Sequence, residues 1–281
     1  MKTALVIPCF MAKKMLKKVL KGIPKFVNFI ILVDDNCPEK TVSYTLKTIS
    51  DKRIYTIYNK RNIGVGGSVL IGYKKAIQLG SDLVIKIDSD GQMDLSKLPK
   101  IFKIFKADRD LAYVKGNRFY SIKSIIKMPF IRLFGNLILT IMNKFSSGYW
   151  KINDPTNGYT AINTNYLKRL KLNKIKKNFF FESDMLFHLN CLGAKVNDID
   201  IEAKYNVNNS STLVIYKVIP YFIKNHIINF AKRIFRNAIL LILYLISITL
   251  FLFIFLNNLN FILFLIIFLL TILYDITKQP K

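Results

Sequence analysis

The chain has 281 residues, 52% of them hydrophobic, and its 43 Lys and Arg against 17 Asp and Glu give a formal net charge of +26. That length holds one large α/β domain and an appendage, and few ordinary soluble enzymes are both so apolar and so basic. Such charge suits a phosphate backbone or an anionic membrane surface, where each Lys or Arg near the leaflet contributes about 1 kcal/mol; uncharged segments near the C-terminus favour the membrane, and a rim of carboxylates excludes nucleic acid as the partner.

The chain opens with "MKTALVIPCF", whose apolar run is short, is stopped by Pro8 and is followed by lysines. It reads as a first strand over 3–8 rather than a signal peptide. Further unbroken apolar runs follow at 29–33, 54–58 and 83–87, and runs that do not alternate fit strands covered on both faces of a parallel sheet. Between them, 11–21 has helical spacing, 41–50 starts at Thr41 as a cap, and 68–79 starts at Ser68 and stops at Gly80. Alternating strands and helices predict an open, mostly parallel, Rossmann-like α/β sheet. In such a sheet ligands bind beyond the carboxyl ends of the strands, which places Pro8–Phe10, Asp34–Asp35 and Asp88–Gln92 on one rim.

Later segments add an appendage. Residues 122–145 read as helix broken near Pro129 and Gly135, either lying in a membrane interface or packed on the domain. Residues 238–256 carry no charge and reach about 28 Å as a helix, enough for a bilayer core. After the polar turn "NNLN", residues 261–274 are again uncharged but reach only about 21 Å. Basic flanks at 224–236 and 275–281 predict a transmembrane helical hairpin (237–276) with both ends in the cytosol, and a basic stretch at 213–236 resting on anionic lipids of the inner leaflet. Cys9, Cys37 and Cys191 have no metal-type spacing, and their odd number implies a reducing compartment without disulfides.

The chemistry concentrates in "VIKIDSDGQMD" at 84–94. Two carboxylates on one side of an extended segment repel unless a cation sits between them. Hard oxygen ligands suit Mg²⁺ or Mn²⁺, with Gly91 permitting a sharp turn and Gln92 offering another oxygen. A solvated acidic turn is the alternative. Asp34 and Asp35 end the second strand, where a carboxylate serves either a base or ribose or the cap of the next helix. Gly64, Gly66 and Gly67 precede a helix without the ending of a P-loop; they serve either anion contact or tight packing.

In order, "VIPCF", "ILVDDNCPE", "NKRNIGVGGSVLIGYKKA", "IKIDSDGQ", "KGNRF", "DPTNGYTAI" and "FFFESDML" resemble the inverting family 2 glycosyltransferases of the GT-A fold. The resemblance covers roughly residues 1–210, and is strongest to the polyprenyl-phosphate sugar transferases typified by dolichyl-phosphate mannose synthase. It implies a GT-A domain over 1–212 that uses a nucleotide-sugar donor and a polyprenyl phosphate or glycan acceptor. Pro8, Phe10, Val33 and Asp35 would line base and ribose. Asp88, Asp90 and Gln92 would hold Mg²⁺ or Mn²⁺ and through it the diphosphate, and Arg118 would contact phosphate. Lys204 falls near a late arginine of the family. Asp184 would stand near the acceptor, with Asp154 and Glu182 as further groups at the acceptor or donor sugar. One departure is "FMA" at 10–12, where the family often has Tyr-Asn-Glu: the ring persists in Phe10 but the glutamate is gone. The rival reading from another class is a non-catalytic, membrane-tethered nucleotide or nucleic-acid binder, told apart by salt-dependent binding to DNA or RNA without sugar-nucleotide hydrolysis.

Overall fold

The computed structural model describes residues 1–120, 125, 126, 128, 130–201, 215–256 and 262–279. Seven strands form one sheet: β1 (Thr3–Cys9), β2 (Phe29–Asp34), β3 (Ile54–Tyr58), β4 (Leu83–Lys86), β5 (Leu111–Asn117), β6 (Thr160–Asn163) and β7 (Lys195–Asp200). Their spatial order is β3-β2-β1-β4-β6-β5-β7. The β1–β2, β2–β3, β1–β4 and β5–β7 pairs are parallel, and β6 runs antiparallel to both neighbours.

Residue parity along the strands explains the unbroken apolar runs. Leu5, Ile7, Ile30, Leu32 and Ile85 face one core, which holds Leu16 and Val19 of α1 (Lys13–Lys21) and Ile101 of α4 (Leu98–Ala107). Ala4, Val6, Ile31, Val33 and Val84 face the other, against Val69 and Tyr73 of α3 (Val65–Gln78) and Met185 and Leu189 of α7 (Phe181–Asn190). Two short helices, α2 (Thr41–Leu46) and α6 (Thr164–Arg169), complete the layers.

Helix starts differ from the sequence expectations in instructive ways. α3 begins at Val65, three residues before Ser68, with Gly64 as its cap at a φ of 84°, a conformation that favours glycine. Ser68 is fully buried and its hydroxyl meets Asn59 Nδ2 at 3.1 Å. α2 does start at Thr41, but its N-cap position is Lys40, at a φ of 49° and without a side-chain cap; Asp34 accepts from Cys37 N at 2.8 Å and from Val42 N in the first turn at 3.4 Å.

The segment at 122–145 is corrected too. α5 (Phe130–Ser147) runs through Gly135 without a break, with open space around that position; Pro129 lies outside the described residues. One face of α5 buries Asn143, Ser146 and Ser147 against α8 (Ile215–Phe235), where Ser146 Oγ lies 2.8 Å from His226 Nδ1. The other exposes Phe134, Leu137, Ile138 and Ile141, spaced as one helical stripe. Packing on the domain is thus observed for one face, and the other presents an apolar stripe to the surface.

α9 (Ala238–Leu256) and α10 (Ile262–Thr277) follow and pack on each other, with Ser247 Oγ 3.2 Å from Thr271 Oγ1. Among the described residues no single helix is long and apolar enough to cross a membrane; α8 and α9 meet that measure together, as a pair bent by 115°. A polar clasp joins these helices to the domain. Arg233 of α8 donates to both oxygens of Asp275 of α10, at 2.6 and 2.8 Å, and to Phe145 O at 2.9 Å. Trp150 Nε1 donates to the same aspartate at 3.0 Å.

Candidate active site

The chain leaves β1 to build β2 and β3 on one side, then returns to place β4 on the other. The crevice beyond the ends of β1 and β4 is thus a topological switch point, where open α/β sheets take ligands. Pro8 is buried at the end of β1 and Phe10 projects beyond it, 43% exposed. β4 ends at Lys86, and the chain turns at Ser89–Asp90 with Gly91 at a φ of 71°. Asp88, Asp90 and Gln92 lie half-buried on this turn, and Asp90 Oδ1 accepts from Gln92 N at 3.0 Å.

Behind the turn lies a charge that the sequence reading passed over. Lys86 is fully enclosed, and its Nζ sits 2.7 Å from Asp88 Oδ1 and 3.1 Å from Glu182 Oε1 of α7. Burial pushes this ammonium down, but Asp88 and then Glu182 outweigh it and hold it above the usual lysine range. Gly158, from the loop before β6, covers the cluster: a Cβ there would overlap Lys86 Nζ and Asp88 Oδ2. The signal for Lys86 was present, since a lysine inside an otherwise apolar strand must be paired.

A second ion pair borders the site. Arg118, just after β5, donates through Nε to Asp154 Oδ2 at 2.7 Å and through an Nη to Oδ1 at 2.8 Å, and its backbone N–H reaches Oδ2 at 3.1 Å. Burial pushes the Asp154 carboxyl up, yet Arg118 brings it below its ordinary value. Lys115 is also fully buried and donates to Asn157 O at 2.7 Å; burial lowers its ammonium to about 8, against Glu182 and Asp154.

The remaining expected residues divide. Asp35 is buried and accepts from Asn59 Nδ2, Ile63 N and Gly64 N, each at 2.9 Å, so it ties the glycine-rich segment to the rim. Of the two uses open to those glycines, packing is observed: Gly67 N donates to Lys177 O, and a Cβ at Gly66 would lie 2.6 Å from Phe181 Cβ. Val33 is corrected: its side chain is fully enclosed in the α3-side core, leaving no surface for a base. Asp184 is also corrected in its surroundings. Its Oδ1 accepts from Asn229 Nδ2 of α8 and its Oδ2 from Lys176 N, both at 2.8 Å. It binds α7 to α8, while Glu182, two residues earlier, reaches the Asp88 cluster. Lys204 lies outside the described residues.

Asp88 and Asp90 fit a hard divalent cation on one further observation. Burial, then the charge of Asp88, hold the Asp90 carboxyl above its ordinary value, a strain that a cation between the two relieves. Among the described residues no group of three or more His, Cys, Asp or Glu could hold a metal ion. The protein would therefore supply two carboxylates, leaving other coordination positions for phosphate oxygens, as Mg²⁺ and Mn²⁺ sites commonly do.

Comparison with known proteins agrees with this architecture. The sequence model described as glycosyl transferase family 2 matches residues 4–171. The UDP-N-acetylglucosamine–dolichyl-phosphate N-acetylglucosaminyltransferase of Methanococcus voltae is 29% identical over 59% of this chain and 71% of its own length. The undecaprenyl-phosphate mannosyltransferase of Micrococcus luteus is 24% identical over 61% of this chain and 70% of its own. Among solved structures, glucosyl-3-phosphoglycerate synthase from Mycobacterium tuberculosis, in complex with Mn²⁺, UDP and glucosyl-3-phosphoglycerate, superposes with a TM-score of 0.59. That match covers 83% of this chain and 79% of the other at 13% identity, a likeness of fold.

Proposed function

Because the chain belongs to glycosyl transferase family 2 and has the GT-A fold, we propose that it transfers a sugar, with inversion, from a nucleotide-sugar to a polyprenyl phosphate at the cytosolic face of the cytoplasmic membrane. The observation that carries this reading is the state of the carboxylates. A hydroxyl acceptor needs a general base. Glu182 is paired with Lys86, Asp154 with Arg118, and both oxygens of Asp184 accept hydrogen bonds. Each is already committed to a partner within the fold. A phosphate acceptor arrives already ionised and needs none.

In the proposed site, Pro8 and Phe10 border the base, while Asp35 holds the glycine-rich segment in register beside it. Asp88 and Asp90, with Gln92, would hold Mg²⁺ or Mn²⁺, which supplies charge stabilisation for the departing diphosphate. The acceptor oxygen attacks the anomeric carbon opposite the leaving group. Arg118, oriented by Asp154, contributes positive charge to phosphate at the same rim. The relatives named for dolichyl and undecaprenyl phosphate support the acceptor class. The exposed stripe of α5, the basic α8 and the apolar α9–α10 pair support attachment to an anionic membrane.

Membranes carrying the protein, incubated with radiolabelled nucleotide-sugars, are expected to yield a chloroform-extractable, mild-acid-labile product. Label confined to polysaccharide would replace the lipid phosphate with a glycan acceptor.

A further inference from the structure

The roles given to Asp88 and Asp90 leave two buried charges unexplained. Lys86 and Glu182 come from segments 96 residues apart and meet at 3.1 Å in the interior. The Lys86 side chain is 1% exposed and that of Glu182 8%, whereas Asp88 is 34% exposed. One ammonium is thus shared between a carboxylate that opens on the crevice and one that faces inward. Because Gly158 closes over both Nζ and Asp88 Oδ2, the ammonium is walled off from solvent and has these two carboxylates to choose between.

We propose that Lys86 is a resident counter-charge for Asp88 which Glu182 holds back, so that the Lys86–Glu182 pair sets how tightly the two aspartates take a divalent cation. This rests on the metal-dependent reading above and deepens it. Lys86 and Glu182 are positioning residues, acting through Asp88. Counting Lys86, its two bonded carboxylates Asp88 and Glu182, and neighbouring Asp90, there are three negative charges and one positive, a net of −2; Lys115, which feels Glu182 without bonding to it, stands outside this count and is unchanged in both variants below. When the ion is absent, the ammonium satisfies Asp88. When the ion arrives, Glu182 takes the larger share of the ammonium, and Asp88 turns to the ion without leaving Lys86 unpaired.

This arrangement makes two variants move in opposite directions. Glu182→Gln keeps the shape but brings the net charge to −1 and leaves Lys86 wholly on Asp88, in competition with the ion. Lys86→Met combined with Glu182→Gln restores −2 and removes the competitor, and it leaves no unpaired buried charge to unfold the chain. The test is titration of the full chain in detergent with Mn²⁺ alone, the free ion being read by electron paramagnetic resonance. Glu182→Gln is expected to weaken Mn²⁺ binding by about tenfold, and the double variant to bind at least as tightly as wild type. An unchanged constant in Glu182→Gln, or weakening in both variants as a merely structural role would give, overturns the proposal alone. A wild-type chain that takes up no Mn²⁺ overturns the metal-dependent reading and this proposal with it.

Discussion

Asp90→Ala is expected to reduce sugar transfer by about a thousandfold or more while leaving the protein as stable as wild type in the absence of divalent ions. The first half follows from losing one of two carboxylates that would hold the ion stabilising the leaving diphosphate; deleting a single preorganised stabilising group commonly costs about 10²–10³ in rate, and a metal contributes more. The second half follows from the state of Asp90 itself. Its carboxyl is pushed above the ordinary value by burial and by Asp88, so its ionised form opposes folding rather than supporting it. The folded chain without metal loses only the hydrogen bond from Gln92 N when it is removed, offset by relief of that repulsion. Turnover assays paired with thermal melts in EDTA check both halves. Near-normal turnover would remove the metal argument, and a large drop in melting temperature would mean that the turn at 88–92 is held by Asp90 for structural reasons.

Asp154→Asn carries the second large effect, this time on stability. Asp154 is 1% exposed, and three donors of Arg118 and one of Asn157 converge on it. Removing one partner of a buried ion pair costs about 3–5 kcal/mol, because the other charge stays buried without compensation; the partial exposure of Arg118, at 12%, places this site toward the lower figure. The pH dependence has a definite sign. The folded carboxyl lies below its ordinary value, so its contribution is complete above about pH 4, the unfolded value, and is lost as pH falls through the lower folded value. Urea melts across the acid range are expected to show wild-type stability falling toward that of Asp154→Asn, with the difference widest at neutral pH. Equal stability of the two at pH 7 would show that Asp154 does not hold Arg118. Sugar transfer should fall as well, since the guanidinium loses the orientation it needs toward phosphate.

The sequence made the first half of the sheet readable because β1 to β4 are apolar on both faces and the intervening helices carry ordinary end signals. α9 was read at its observed bounds from the absence of charge alone. β5 hides a buried lysine in its run, β6 is four residues long, and β7 is a polar edge strand whose "KVNDID" buries only Ile199. Their identity depends on pairing across long separations, which local pattern does not encode. The acidic pair at the rim was likewise legible, as was its company with Glu182 in a shared neighbourhood. Which of Glu182 and Asp184 faces that pair was not, because both stand in the first turn of one helix and only the packing of α7 against β4 and α8 separates them. Val33 was misplaced for a different reason: it shares a face with Asp35, but α3 packs over that face and encloses its side chain.

The clasp between Arg233, Asp275 and Trp150 has a practical corollary. Trp150 is the sole tryptophan in the chain, and its indole nitrogen is bonded to the last helix. The tryptophan fluorescence of the protein, excited to the red of tyrosine, therefore arises at one spot, where the catalytic half and the hydrophobic tail touch. Emission wavelength and quenching become a direct optical gauge of whether that tail stays seated in micelles, in vesicles or after truncation, with no dye or label introduced.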